Sequence, residues 1–237
     1  MGRRGAGLPA DVEPFVLEPA DGPAVRGFLH LPALLSGDGL ALTHGAGSNC
    51  QAPVLVAVAT ALAAKGVTVL RCDLPFRQAR PTGPPRTADA EPDRSGLKQA
   101  VLALRRTVSG RVFLGGHSYG GRQASMLSAD EPRLAEGLLL LSYPLHPPRR
   151  PSGLRTAHFP ALHTRALFIH GARDPFGSIE EMRWALALIP GPTELIEIAG
   201  AGHDLSGRPQ TVTGESPVAE TVARAFSAFL GRASRRP

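Results

Sequence analysis

The sequence predicts an α/β domain with a mostly parallel central sheet of about eight strands, helices on both faces and a short Pro-rich insertion. From residue 40 onward, short apolar runs alternate with longer segments of helical periodicity. Alternation of this kind is typical of a parallel sheet covered on both faces. The chain has 237 residues, of which 43% are hydrophobic and 19% charged, so it is long enough for one such domain.

The elements follow in a regular order along the chain. Residues 14–18 and 24–31 flank the turn sequence Asp21-Gly22-Pro23 and predict an opening antiparallel hairpin. The prolines between residues 75 and 92 favour a loop. The remaining apolar runs predict strands at 40–43, 67–71, 111–114, 138–142, 166–169 and 195–198. Helices are predicted at 53–65, 97–108, 121–129, 180–188 and 218–230.

We interpret residues 11–231 as a single domain between two flexible tails, residues 1–10 and 232–237, which are rich in Gly, Arg and Ser. Residues 143–163 form a Pro-rich insertion between two predicted strands. Loops at the carboxyl ends of parallel strands surround the ligand crevice, so this insertion is either a lid or pocket wall, or a surface connection without a role.

Composition and charge argue against several classes of function. The net charge of +6 is carried by scattered arginines, since Lys65 and Lys98 are the only lysines, and the arginines are not grouped with aromatic residues as nucleic-acid binding requires. The longest apolar stretch, residues 54–70, is interrupted by polar residues and is too short to span a membrane. No signal sequence is recognisable, so we expect a cytoplasmic protein. Cys50 and Cys72 have neither metal-type nor disulfide-type spacing.

The segment Gly116-His117-Ser118-Tyr119-Gly120 stands between a predicted strand and a predicted helix. A Gly-x-Ser-x-Gly turn in this position is typical of a nucleophile elbow, because a chain that reverses so sharply has no room for Cβ atoms beside the serine. Ser118 would then expose its hydroxyl at the carboxyl edge of the sheet. The alternative is that Ser118 merely caps the following helix.

A serine nucleophile needs a base, and the base needs a partner that fixes its tautomer. Asp174 follows the predicted strand 166–169, and His203 lies on a glycine-rich loop after strand 195–198, so both fall at the same edge as Ser118. Asp174 alternatively caps the helix after Pro175, and Asp204 adjoins the histidine that it would have to orient.

The other histidines have structural interpretations. His44 and His170 each precede a glycine at a strand end and are expected to bond loop backbone, while the ring of His117 is expected to pack under the turn. The insertion contains His146, His158 and His163, which are candidates to line a pocket. No grouping has metal-ligand spacing, so we expect no metal.

With its order of Ser118, Asp174 and His203, the chain resembles an α/β-hydrolase over nearly everything from residue 40 onward. Segments 43–47, 73–77 and 120–122 resemble the small dienelactone-hydrolase-like group, which also contains a testis-expressed vertebrate protein and a hydrolase-like subunit of a histone-acetylating complex. Dienelactone hydrolases use a cysteine where this chain has Ser118. The resemblance implies that the backbone N–H groups of Ala46 and Tyr119 form an oxyanion hole.

These features predict a serine esterase that acts on a small-molecule ester or thioester-like substrate through an acyl-enzyme, without a cofactor. The rival prediction is a catalytically weak or inactive hydrolase fold that serves as a binding or scaffold protein. Transfer to an acceptor other than water and peptidase activity remain open. Natural substrate, acyl or alcohol preference and oligomeric state are likewise open at this stage.

Overall fold

A computed structural model of the protein describes residues 11–206 and 217–233. Its centre is one eight-stranded sheet with the strand order β1-β2-β4-β3-β5-β6-β7-β8. The strands are β1 Asp11–Leu17, β2 Val25–Leu31, β3 Gly39–Thr43, β4 Thr68–Cys72, β5 Val112–His117, β6 Leu138–Leu141, β7 Ala166–Gly171 and β8 Thr193–Ile198. Strand β2 pairs antiparallel with β1 on one side and with β4 on the other. All other neighbours in this order, from β4 and β3 through to β8, pair in parallel, which confirms the predicted fold class.

Helices cover both faces of the sheet within the described ranges. They are α1 Pro53–Ala63, α2 Pro75–Ala79, α3 Ala90–Thr107, α4 Tyr119–Asp130, α5 Ile179–Leu186 and α6 Pro217–Ala233. One core layer joins the sheet to α1 and α6 through side chains such as Leu55 and Phe226. The second layer joins the other face to α3, α4 and α5, with Leu97, Ala124 and Met182 among its buried members. The central strands are buried on both faces, which explains their continuous apolar sequences.

The structure differs from the prediction most clearly between residues 75 and 92. This stretch is not all loop: it contains α2, a 3-10 turn at Thr87–Asp89 and the start of α3. Pro75 occupies the first turn of α2, where a missing N–H removes no helical hydrogen bond. Pro92 likewise lies in the first turn of α3. Proline at these positions begins helices, so the prediction of a loop throughout residues 75–92 was wrong.

The predicted tails fall mostly outside the described residues, which exclude 1–10 and 234–237. At the other end, α6 continues through Ala233, two residues into the predicted second tail. The insertion at residues 143–163 contains one 3-10 turn, Phe159–Ala161, and buries Tyr143 and Phe159 completely. His146 N–H also donates to the carbonyl of Phe176 at 3.0 Å. The two ends of the insertion are thus anchored in the core of the domain, whereas its middle, residues 148–154, is exposed.

Because β3, β5, β7 and β8 are parallel, their carboxyl ends lie at the same edge of the sheet. The loops that follow these strands contain residues 44–50, Ser118, Asp174 and residues 199–206. We call residues 44–50 the oxyanion loop, after its predicted role, and residues 199–206 the base loop. The fold therefore gathers the predicted site residues at one edge.

Candidate active site

Ser118 stands in a tight turn between β5 and α4. Its backbone has φ +51° and ψ −118°, a conformation that residues other than glycine rarely adopt. The turn is compact: a Cβ on Gly116 would come within 2.7 Å of the backbone of Gly120 and Gly121. The glycines therefore permit the reversal, and the half-buried serine is presented at the carboxyl edge, as a nucleophile elbow requires.

The structure brings Ser118, His203 and Asp174 into one hydrogen-bonded line. The Ser118 hydroxyl donates to His203 Nε2 over 2.8 Å. On the other side of the ring, His203 Nδ1–H donates to the Asp174 carboxylate, at 2.8 Å from Oδ2 and 3.0 Å from Oδ1. The Asp174 side chain is fully buried, whereas that of His203 is 22% exposed. This arrangement leaves Nε2 unprotonated and directed at the serine, which suits it to accept a proton.

Asp174 is held by the turn that contains it. The amide N–H of Phe176 donates to Asp174 Oδ1 at 2.9 Å. The Phe176 ring lies against the His203 imidazole, with 4.1 Å between centroids and 30° between planes. The short segment after β7 thus fixes both the carboxylate and the plane of the histidine that it faces. Asp204, the rival acid, instead accepts from Ser206 and is exposed.

His117 contacts His203, which the predicted packing of its ring under the turn did not include. Its ring does not simply pack under the turn: it lies 5.3 Å from the His203 ring, and its Nε2–H donates to the His203 carbonyl at 2.8 Å. Burial lowers the pKa of His117, so the ring stays neutral and keeps this donor. His117 is therefore a support for the backbone of the base loop.

The oxyanion loop passes directly over the elbow. A Cβ on Gly45 would lie 3.3 Å from Ser118 Cβ, and Gly120 N–H donates to the His44 carbonyl at 3.1 Å. Across the described residues, the amide N–H groups of Ala46 and Tyr119 have no acceptor within the protein. Both residues are half-buried, so these two donors remain free to bond a ligand.

His44 serves the loop as a neutral structural group, as its sequence position predicts. Its Nδ1–H donates to the Gly45 carbonyl at 2.8 Å, and its Nε2 accepts from Leu74 N–H at 3.1 Å. Burial lowers its pKa, which favours this neutral form. His170 is also structural, because its Nε2–H donates to the Gly177 carbonyl at 2.8 Å.

Tyr119 is anchored by a carboxylate that the sequence did not point to. The Tyr119 hydroxyl donates to Asp93 Oδ2 at 2.8 Å, and Asp93 Oδ1 accepts from Phe76 N–H at 3.0 Å. Asp93 is fully buried, and burial raises its pKa. The first residue of α4 is thereby tied to the start of α2. A carboxylate so early in a helix carries no sequence signal for this role, because it is also typical of an exposed first turn.

The histidines of the insertion are not gathered at the serine. His158 Nε2 bonds the Ser125 hydroxyl at 2.8 Å, and His146 Nδ1 bonds the Pro147 carbonyl at 2.9 Å. His163 lines a cavity of about 1080 Å³ that is bordered by residues from the opposite, amino edge of the sheet, including Arg111 and Arg165. Within residues 11–206 and 217–233, no group of three potential metal ligands occurs.

A smaller depression of about 350 Å³ adjoins the oxyanion loop. It is lined by Ala46, Gly47, Arg77 and residues 81–84. The depression therefore lies between the oxyanion loop and the segment that follows α2.

Comparison with known proteins identifies the family. A model of the alpha/beta hydrolase domain matches residues 37–231, most of the chain. The protein belongs to the α/β-hydrolase superfamily. Solved structures share the fold of this α/β hydrolase at low sequence identity. A dienelactone hydrolase from Anabaena variabilis is 22% identical with a TM-score of 0.70, and the match covers 93% of this chain and 99% of that one.

Two serine hydrolases show the same likeness in fold. An alpha-beta serine hydrolase homologue from Coxiella burnetii is 17% identical, with a TM-score of 0.69 and coverage of 90% and 97% of the two chains. A serine hydrolase without a lid from Xanthomonas campestris is 15% identical, with a TM-score of 0.67 and coverage of 95% and 98%. The predicted superfamily and its dienelactone-hydrolase-like fold are confirmed. Among the described helices of this α/β hydrolase, none combines the length and apolar character needed to cross a membrane.

Proposed function

We propose that this α/β hydrolase is a serine hydrolase that cleaves an ester or thioester-like bond of a small substrate through an acyl-enzyme intermediate. The observation that supports this most directly is the line from Ser118 Oγ through His203 to Asp174, with hydrogen bonds of 2.8 Å on each side of the ring. A serine that served only as a helix cap would need no such base. In this structure its side chain caps no helix N–H.

The first half of the reaction transfers the acyl group to the protein. Ser118 Oγ attacks the carbonyl carbon while His203 Nε2 accepts the hydroxyl proton. The carbonyl oxygen becomes an anion that accepts hydrogen bonds from the Ala46 and Tyr119 amides. Each donor of this kind stabilises the transition state by about 3 kcal/mol. The intermediate then expels the alcohol or thiol, which takes its proton from His203.

The second half regenerates the serine. His203 removes a proton from a water molecule, whose oxygen attacks the acyl carbon and forms a second oxyanion in the same position. Collapse of this intermediate breaks the bond to Ser118 Oγ, and His203 returns the proton to the serine. The Asp174 carboxylate stabilises the positive charge that appears on the imidazole. Each of these steps uses only Ser118, His203, Asp174, the two amides and water.

The test combines active-site labelling with turnover. We expect a fluorophosphonate probe to label the wild type at Ser118, as mapped by peptide mass spectrometry, and a panel of short-chain p-nitrophenyl esters to be hydrolysed. Ser118→Ala should abolish labelling and reduce turnover by a factor of about 10⁴ or more. Ser109→Ala is the matched control, since Ser109 is exposed and lies before β5, at the opposite edge. A wild type that neither labels nor outpaces Ser118→Ala on any ester would instead support a binding or scaffold protein.

A further inference from the structure

We propose that Arg77 is a positioning residue, which fixes the Ala46 amide for oxyanion stabilisation by holding the carbonyl oxygens of the oxyanion loop. This inference rests on the proposed serine hydrolase function. Arg77 lies in α2, directly after the buried Phe76, and only 8% of it is exposed. A guanidinium buried to this extent must have its donors satisfied by the protein.

Every nitrogen of the Arg77 guanidinium donates to a backbone carbonyl. Nε bonds Ser48 O at 2.8 Å, and Nη2 bonds Ala46 O at 2.9 Å. Nη2 also bonds Gly83 O at 3.1 Å, while Nη1 bonds Arg80 O at 3.2 Å. The rigid planar fork of arginine thus spans two carbonyls of the oxyanion loop and two of the segment that follows α2.

The oxyanion loop needs such a restraint because its sequence gives it little stiffness. Gly45 and Gly47 flank Ala46, and each glycine has a wide choice of backbone angles. The Ala46 N–H has no acceptor in the described protein, so it does not hold itself in place. The bonds from Arg77 to Ala46 O and Ser48 O restrain the chain on the carbonyl side and leave the amide side free for substrate. A preorganised donor of this kind stabilises the transition state without reorganising during the reaction.

The helix α2, which contains Arg77, also contacts Tyr119, the residue that would supply the second amide donor. The Arg77 guanidinium stacks on the Phe76 ring, with 4.9 Å from Cζ to the centroid. Phe76 in turn contacts the Tyr119 ring edge-on at 5.8 Å, and Asp93 binds both residues. The short helix α2 therefore links the Ala46 side of the predicted oxyanion hole to the Tyr119 side.

The experiment compares Arg77→Met and Arg77→Lys with the control Arg80→Met. Arg80 is a neighbour of the same type whose side chain bonds Pro84 O and Asp89, outside the oxyanion loop. We expect Arg77→Met to lower kcat on a p-nitrophenyl ester by about 10- to 100-fold, with KM changed by less than about threefold. A trifluoromethyl ketone, whose hemiketal oxygen mimics the oxyanion, should bind Arg77→Met more weakly by the same factor as the fall in kcat/KM. Arg80→Met should match the wild type.

Arg77→Lys keeps one charged donor, so its kcat should lie between those of the wild type and Arg77→Met. It tests the proposal even if the methionine variant does not fold. Methylguanidine should restore part of the kcat of a shortened variant, Arg77→Ala, because it replaces the missing donors. Loss confined to KM, unchanged inhibitor affinity, or equal effects of Arg77→Met and Arg80→Met would each overturn the proposal. A wild type without esterase activity or Ser118 labelling overturns the proposed function and this inference together, whereas an active wild type with unaffected Arg77 variants overturns only the inference.

Discussion

The oxyanion loop and the base loop follow strands on opposite sides of β5, and the protein holds them by different contacts. The oxyanion loop is held by two buried arginines and a half-buried carboxylate: Arg77 bonds two of its carbonyls, Arg71 bonds Cys50 O, and Asp73 accepts from Cys50 N–H. The base loop is held by half-buried His117 and exposed Arg173, which bonds Gly200 O at 3.0 Å.

This contrast suits the chemistry that we propose for each loop. Backbone donors carry no charge of their own, so their benefit depends on being fixed before the reaction begins. Burying charged groups against the carbonyls of residues 44–50 provides that rigidity. The histidine must exchange protons with serine, leaving group and water, and its position is set through its ring by Asp174 and Phe176. We therefore expect disruption of the two loops to have distinguishable effects.

The largest effect is expected on the base side, from Asp174→Asn. An asparagine amide can donate to Nδ1, which moves the ring proton to Nε2 and removes the acceptor for Ser118. We expect kcat to fall by a factor of about 10³ to 10⁴ with little change in folding. Asp204→Asn is the control and should retain wild-type kcat within about threefold, because among the residues that the structure describes Asp204 bonds Ser206 in its own turn and not His203. Equal losses in steady-state assays of both variants would transfer the acid role to Asp204.

Gly120→Ala should disrupt the packing of the elbow against the start of the oxyanion loop. The new methyl group would collide with the His44 carbonyl oxygen and come within 2.6 Å of Thr43 Cγ2. We expect a loss of about 2–3 kcal/mol in the free energy of unfolding, measured by urea denaturation. Gly47→Ala is a matched control, since a Cβ there meets no atom within 4 Å, and it should stay within about 0.5 kcal/mol of the wild type. Similar losses in both variants would contradict a tightly packed junction.

A smaller effect is expected from His117→Phe, which retains an aromatic ring beside His203 but removes the donor to its carbonyl. We expect kcat to fall about tenfold, because the base loop loses its half-buried hydrogen bond and the imidazole is positioned less well. His117→Gln restores an N–H donor and should recover most of the activity in the same ester assay. If phenylalanine and glutamine variants are equally active, the bond to His203 O has no part in positioning.

The last effect is absent at neutral pH and concerns a loss of stability on the oxyanion side in acid. His30 Nε2 accepts from Arg71 Nε at 2.7 Å, and burial followed by the charge of Arg71 lowers the pKa of His30 from 6.5 to about 4. The unfolded chain therefore binds a proton at higher pH than the folded protein, so this contribution to stability is present above pH 6.5 and is lost as the pH falls toward 4. The shift corresponds to at most about 3 kcal/mol.

His30→Gln retains an acceptor for Arg71 but does not titrate. Its free energy of unfolding should consequently fall less between pH 7 and pH 4.5 than that of the wild type, as followed by urea denaturation at both values. Other buried histidines with lowered pKa values, His158 among them, contribute to the remaining slope. Identical slopes in the two proteins would show that His30 does not supply the difference.

Sequence reasoning predicted the fold and the gathering of Ser118, Asp174 and His203 because both follow from local patterns. Alternating apolar runs define parallel strands, and parallel strands place their following loops at one edge. The glycines around Ser118 were informative because their role is steric and local. The boundaries of β5 and α4 differed from the prediction by up to three residues, since glycine and histidine at the elbow carry no strand or helix periodicity.

The supports of the site could not be predicted in the same way. Arg77, Asp93 and His117 act through hydrogen bonds to groups that are distant in sequence, and such bonds leave no periodic pattern. One signal was available for Arg77: the segment 73–77 follows β4, which neighbours β3 at the same sheet edge. Arg77 also belongs to a helical turn that begins at proline, inside the stretch 75–92 that was predicted to be a loop, and Asp93 lies one residue after that stretch.

The sheet order has a kinetic consequence for this protein. Strand β3 pairs with β5, but the chain first builds α1, β4, α2 and α3 between them. The Ala46 amide can therefore reach Ser118 only after segments remote in sequence have associated, a slow kind of event in folding. Recovery of ester turnover during refolding should consequently lag behind recovery of the helical circular dichroism signal. The return of turnover would then report when β3 and β5 have paired.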